Sequence, residues 1–122
     1  MKTYDELNIR FPTILNGTLF ECPPGWFDIL WFLCEEIEEI NKSLPTYCQI
    51  VCIQVKSKFN NLRFYHTLSE NDIINRIVYN CVNEAERKAK FTCERCGGKR
   101  EVGEYICEKC KGEIGLKCLI FL

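Results

Sequence analysis

Apolar residues recur with two different periods along the chain, and each change of period separates a predicted helix from a predicted strand. After Pro23-Pro24-Gly25 the apolar positions are three or four residues apart until Pro45, which predicts an amphipathic helix that begins in the Pro-Gly segment. The apolar stripe of this helix consists of Trp26, Ile29, Leu30, Leu33, Ile37 and Ile40. Acidic residues lie on the opposite side, as expected for a face in contact with water.

An alternating pattern over residues 49–59 predicts a half-buried strand. The two predicted faces are Val51, Ile53 and Val55 on one side, and Cys52, Gln54 and Lys56 on the other. Asn60-Asn61 follows, and because asparagine tolerates positive φ, this pair predicts a two-residue hairpin turn. A second strand then begins at Leu62 and directs Leu62 and Phe64 toward the core.

A second helix follows the hairpin. Residues 69–72 resemble a capping box at its start, and cations lie near its end, where the helix dipole favours them. Its apolar positions are Ile73, Ile74, Ile77, Val78, Cys81, Val82 and Ala85. Residues 1–20 are weakly patterned, and the apolar run at 119–122 predicts a last strand.

Two tight cysteine pairs, Cys93-Glu-Arg-Cys96 and Cys107-Glu-Lys-Cys110, lie ten residues apart. Such pairs place four thiolates around one point, which predicts one structural Zn²⁺ per chain. Residues 91–113 contain few core-forming residues, so this segment needs the metal to fold, and four unliganded thiols are the weaker alternative. With four protein ligands the ion has no open position for substrate.

The order of elements predicts an α+β fold, with a helix–β-hairpin–helix core over residues 1–90. Residues 91–122 form a C-terminal zinc ribbon or knuckle and the last strand. A chain of 122 residues suffices for one domain with a small appendage. The other six of the ten cysteines show no ligand spacing and are interpreted as small apolar side chains. They are Cys22, Cys34, Cys48, Cys52, Cys81 and Cys118.

The net charge of −1 gives no broad field that would attract nucleic acid or an anionic membrane. No apolar run is long enough to span a bilayer, and the first residues lack a signal core, so we expect a cytoplasmic protein without membrane contact. The charge is uneven, however. Residues 1–46 carry 3 basic and 8 acidic side chains, whereas residues 47–92 carry 7 basic and 4 acidic ones. The hairpin and second helix are therefore the basic part.

Three separated motifs resemble a widespread group of small phage and prophage proteins. They are Glu21-Cys22-x-x-Gly25-Trp26, then Gln54-Val55-Lys56-x-Lys58-Phe59-Asn60-Asn61-Leu62-Arg63-Phe64-Tyr65, then Cys93-Glu94-x-Cys96-Gly97. The group has two glycines at Asn60-Asn61, and its second ligand pair often ends in histidine where this chain has Cys110. Most members have no assigned activity, so the resemblance implies a phage origin and a host-cell cytoplasmic location rather than a mechanism.

The predicted hairpin places Arg63 and Tyr65 on one strand face, with Lys56 nearby. An arginine fork beside an aromatic ring suits a phosphate with its base, so these three residues are a candidate ligand site. The alternative is that Phe59 and Phe64 fill the core and that Arg63 forms a structural ion pair with Glu21 or with an acid of the first helix.

Phe27 and Trp31 lie off the main stripe of the first helix. They predict a homo-oligomer or host-protein interface, or else burial under residues 1–20.

No catalytic set is present, since the single histidine, His66, has no partner motif, and we expect no enzymatic activity. The preferred hypothesis is a non-catalytic phage-type binding protein. It either inhibits a host defence factor or sequesters a small phosphorylated, nucleotide-type signal. The alternatives are a nucleic-acid-binding zinc ribbon, disfavoured by the net charge, and a metal- or thiol-dependent enzyme, the least supported.

Overall fold

The computed structural model describes the backbone of residues 3–121 and the side chains of residues 3–114. Over this range helices alternate with a small sheet, which confirms the predicted α+β class. The helices are α1 (Tyr4–Arg10), α2 (Pro12–Leu15), α3 (Phe27–Lys42), α4 (Asp72–Lys90) and α5 (Glu108–Phe121). The strands are β1 (Phe20–Glu21), β2 (Cys52–Lys58) and β3 (Asn61–His66), and 3₁₀ turns cover Pro24–Trp26 and Thr46–Cys48.

The sheet has the order β1-β2-β3, with β1 parallel and β3 antiparallel to β2. Strand β1 was not predicted, because two residues are too few to show an alternating pattern. It pairs Phe20 with Val55 and Glu21 with Lys56, and so adds a carboxylate next to the predicted ligand residues.

Helices α3 and α4 cover one face of the sheet and form the core with it. Helix α3 contributes the fully buried Leu30, Leu33 and Ile37, as the predicted stripe requires. Val78 and Ala89 on α4 meet them from the other side. Asn71 is the N-cap of α4, and its side chain accepts from the N–H groups of residues 73 and 74, so the predicted cap at Ser69 lies two residues too early.

A β-bulge in β2 changes the predicted alternation. The register shifts between Cys52 and Gln54, which places Cys52 on the buried side with Val55 and leaves Ile53 64% exposed. One extra residue reverses the faces of everything before it, and a strict period of two cannot reveal this.

The hairpin turn lies one residue earlier than predicted. Lys58 pairs with Asn61, so the two turn residues are Phe59 and Asn60, with φ of 53° and 64°. Asn61 instead belongs to β3. The faces of β3 are unaffected, since Leu62 and Phe64 are buried as predicted.

The C-terminal strand prediction is wrong. The backbone of residues 108–121 is helical, as α5, where the sequence predicted a strand at the end. Cys107 caps this helix, since its carbonyl accepts from Lys111 N–H at 3.0 Å. Once a first turn is fixed in this way, each further residue of the helix adds one local hydrogen bond. The short apolar run that led to the strand prediction does not prevent the helix from continuing.

The cysteine-rich segment packs directly against the start of α3. Gly25 N–H donates to Glu94 O at 2.7 Å, and Trp26 Nε1 donates to Thr92 O at 3.2 Å. A Cβ atom on Gly25 would lie 2.0 Å from Cys93 O and 2.7 Å from Glu94 O. Glycine at this position therefore permits backbone-to-backbone contact between the two segments.

We predict that Gly25→Ala lowers the free energy of unfolding by at least about 2 kcal/mol, because the backbone of residues 93–94 must move away. Gly112→Ala is the matched control. It meets no atom within 4 Å and lies in α5, where alanine is the better helix former. Urea unfolding of both variants measures the effect, and equal stability of the two would contradict the close-contact argument.

Candidate functional site

The four predicted ligands form one cluster at the junction of α4 and α5. Their sulfur atoms all lie within 4.8 Å of one another, with 3.7 Å between Cys93 and Cys110 and between Cys96 and Cys107. A disulfide needs about 2.05 Å, whereas four sulfurs around a zinc at about 2.3 Å lie about 3.8 Å apart. The donor set and its spacing therefore fit a tetrahedral metal site.

Backbone amides point at the sulfur atoms of this cluster. Gly98 N–H donates to Cys96 Sγ and Cys107 N–H donates to Cys93 Sγ, both at 3.3 Å. Gly97 has a φ of 80°, which lets the chain bend back after the first pair. These amides stabilise thiolates before any cation is present.

The pKa values within the cluster diverge. Burial opposes ionisation of Cys93, but amides of neighbouring residues outweigh it and lower the pKa of this thiol to about 6. Burial and the three neighbouring sulfur atoms raise the pKa of Cys110. Four thiolates cannot coexist here without a counter-charge, so full ionisation of the cluster requires a bound cation.

Arg100, between the two cysteine pairs, is a buried cation that the sequence analysis missed. Its side chain is almost fully buried and donates to Asn60 O at 2.8 Å, Ala89 O at 2.8 Å and Lys90 O at 3.0 Å. Two of these carbonyls belong to the last turn of α4, where the helix dipole favours a positive charge. Because Asn60 lies 40 residues away in sequence, no local pattern could indicate this role.

Glu94 is the carboxylate nearest to Arg100, with 3.8 Å between Oε1 and Nη1. Burial raises the pKa of Glu94, and the charge of Arg100 and a hydrogen bond with Ser57 oppose the rise. Burial also lowers the pKa of Arg100. Glu94 and Arg100 thus join the cysteine-rich segment to β2 and to the hairpin turn.

The hairpin carries its polar side chains on the face opposite the buried Val55, Leu62 and Phe64. This hairpin face consists of Gln54, Lys56, Lys58, Asn61, Arg63 and Tyr65, which are paired directly across the two strands. The structure therefore brings the predicted ligand residues Lys56, Arg63 and Tyr65 together. Lys56 is opposite Arg63, and its Nζ lies 5.9 Å from the centroid of the Tyr65 ring.

Two like charges opposite each other repel, and an isolated structural sheet gains nothing from them. The alternative of a structural ion pair for Arg63 is not realised among residues 3–114, where Arg63 Nη1 donates only to Leu62 O, at 3.2 Å. Glu21 accepts from Gln54 Nε2 at 3.4 Å instead. An anion between Lys56 and Arg63 would relieve their repulsion.

Phe27 and Trp31 lie beneath the N-terminal helices and not on an open surface. Phe27 is 8% exposed and its ring centroid is 6.0 Å from that of Tyr4, while Trp31 is half-buried and meets the Phe11 ring edge-on at 5.3 Å. For Phe27 the interface prediction is therefore wrong, and burial under residues 1–20 is the correct alternative. The aromatic stripe is the packing surface for α1 and α2.

The remaining predicted residues have ordinary surroundings. Cys34 and Cys52 are buried, and burial raises their pKa values to about 12 and about 11. Cys22, Cys48 and Cys81 are half-buried, and the side chain of Cys118 is outside the described residues. His66 Nδ1 lies 2.8 Å from the carbonyl of the next residue.

Comparisons with protein-family models, with curated proteins and with solved structures found no match to this chain. Within the described residues, no helix combines the length and the apolar character that crossing a lipid bilayer demands.

Proposed function

We propose that this chain is a non-catalytic binding protein that holds a small phosphorylated, nucleotide-type ligand on its hairpin face. The observation that carries the proposal is the opposition of Lys56 and Arg63, two cations without a carboxylate between them, next to the exposed ring of Tyr65. A guanidinium fork and an ammonium suit a phosphate, and the ring suits a base. The resemblance to small phage proteins supports a role in which such a ligand is a host signal.

In this proposal the cysteine cluster holds one zinc ion with a structural role. Thiolates are zinc's preferred structural ligands, and the 3.7 Å sulfur separations agree with its bond lengths. Cys93, Cys96, Cys107 and Cys110 would hold the ion, which supplies the counter-charge for four thiolates. Because all four ligands are protein atoms, the ion contributes folding free energy rather than Lewis-acid chemistry.

Elemental analysis of the purified protein should find one zinc per chain, and Cys96→Ser should abolish stoichiometric zinc because three thiolates hold it far more weakly. Cys81→Ser is the matched control, since Cys81 lies outside the cluster and should leave the zinc content unchanged. A Cys96→Ser protein with full zinc, or a wild type without metal, would refute the zinc site.

Arg63→Ala should weaken binding of adenosine triphosphate, used as the probe, about 10- to 100-fold, because a charge-assisted bond is worth about 1.5–3 kcal/mol. Arg63→Lys should also weaken it, since lysine offers a point charge without the fork. Isothermal titration measures both affinities.

Arg87→Ala serves as the control, because Arg87 is an exposed arginine near the end of α4 that pairs with Glu84. Suppose that Arg63→Ala instead lowers the melting temperature sharply and leaves binding per folded molecule unchanged. Arg63 would then be a structural residue, and the ligand would have to bind elsewhere.

A further inference from the structure

The tip of the hairpin presents an aromatic ring in a conformation that aromatic residues avoid. Phe59 has a φ of 53° and its side chain is 85% exposed. Left-handed backbone is sterically disfavoured for a residue with a Cβ atom, and glycine or asparagine is the usual choice in such a turn. Since the exposed ring buries almost nothing, packing within this chain does not compensate for the strain. Strain of this kind that packing does not explain points to a function.

A hydrogen bond from Arg100 also anchors the tip of the hairpin. The carbonyl of Asn60, the second turn residue, accepts from the buried guanidinium of Arg100, which is fixed by two carbonyls at the end of α4. A hairpin tip that contacts only water needs no such anchor. The anchor presents Phe59 in one orientation, so a partner that stacks on its ring does not have to order the turn.

Two pairs of a cation and an aromatic ring lie along the hairpin, one on the hairpin face and one at the turn. Lys56 Nζ lies 5.9 Å from the Tyr65 ring centroid, and Lys58 Nζ lies 6.0 Å from the Phe59 ring centroid. Arg63 is opposite Lys56, between the two rings. Glu21 on β1 bounds this basic row on one side.

The two rings are too far apart for a single base. Tyr65 is opposite Gln54, and Phe59 is five positions farther along the chain, which corresponds to roughly 15 Å at the rise of a strand. Stacked rings have centroids about 4.5–7 Å apart, so one base cannot contact both. A ligand that reaches both rings must carry at least two bases, with phosphates between them.

We propose that the hairpin binds single-stranded nucleic acid, with bases stacked on Tyr65 of its face and on Phe59 of its turn, and with phosphates along Lys56, Lys58 and Arg63. This inference rests on the anion site of the proposed function and extends its ligand from a mononucleotide to a strand. A row of cations that tracks a backbone between stacking platforms is how proteins hold single strands without reading sequence. The three cations complement about three phosphates, which predicts that log Kd rises with log salt with a slope of about 2.

The test is fluorescence anisotropy with a labelled oligothymidylate of about twelve nucleotides, compared with titration of thymidine monophosphate. The decisive variant is Phe59→Asn, because asparagine accepts the left-handed turn and the fold should be as stable as the wild type or more stable. We expect the oligonucleotide to bind at least tenfold more tightly than the monophosphate. Phe59→Asn should lose at least fivefold of that affinity with an unchanged or raised melting temperature.

Tyr47→Asn is the control, since Tyr47 is a similarly exposed aromatic residue in the turn at Thr46–Cys48 and should not affect binding. Suppose that oligonucleotide and monophosphate bind with equal affinity, and that Arg63→Ala weakens binding while Phe59→Asn does not. Binding of a nucleic-acid strand is then ruled out, and the proposed mononucleotide site is retained. If neither probe binds, both the single-strand proposal and the proposed mononucleotide site are wrong. Equally tight binding of a duplex of the same length overturns the stacking arrangement, because paired bases cannot stack on the two rings.

Discussion

Four cysteine sulfur atoms within 4.8 Å of one another hold the segment that contacts both the start of α3 and the hairpin turn. Their arrangement fixes the path of residues 93–110, a segment with too little apolar area to hold its shape alone. That path in turn aligns Glu94 O with the Gly25 amide and inserts Arg100 between α4 and the hairpin turn. The cluster is therefore connected to the start of α3 and to the proposed binding surface, and does not act as an independent appendage.

This connection holds the hairpin face in addition to the pairing of its own strands. A short hairpin is only marginally stable by itself, and its tip here includes a strained aromatic residue. Two contacts hold it: the buried side chains of Leu62 and Phe64 against the helices, and the bond from Arg100 to the turn. Backbone pairing keeps the opposed cations Lys56 and Arg63 close together. An anionic ligand between them would attract both side chains and offset their mutual repulsion.

The features that the sequence predicted well are those determined by local spacing. The two C-x-x-C pairs indicate the cluster because each pair is a local turn, and the 3.6-residue period of α3 indicates its buried stripe. The alternation in β3 likewise identifies Arg63 and Tyr65 as neighbours on one face. Each of these patterns survives in the structure because the side chains concerned are only a few residues apart.

The features that escaped prediction depend on distant contacts or on backbone irregularities. Strand β1 exists only because β2 is beside it, and the role of Arg100 depends on a carbonyl 40 residues away. The bulge next to Ile53 and the turn at Phe59 each shift the register by one residue. Composition does not reveal such a shift, because the segment contains the same residues in either register. The helical C-terminal segment follows from the cap at Cys107, which is a member of the cysteine cluster.

Hydrogen exchange with and without metal tests whether the cysteine cluster organises the core and the hairpin together. The informative amide is Gly25, which donates to Glu94 O at 2.7 Å, together with the amides of residues 58–62 at the hairpin turn. Removing the metal with a chelator should accelerate exchange at both places, while the amide of Phe11, bonded to Leu7 O within the N-terminal helices, should change little. If exchange accelerates only within residues 91–113, this segment is an independent appendage, and the cysteine cluster does not organise the core and the hairpin.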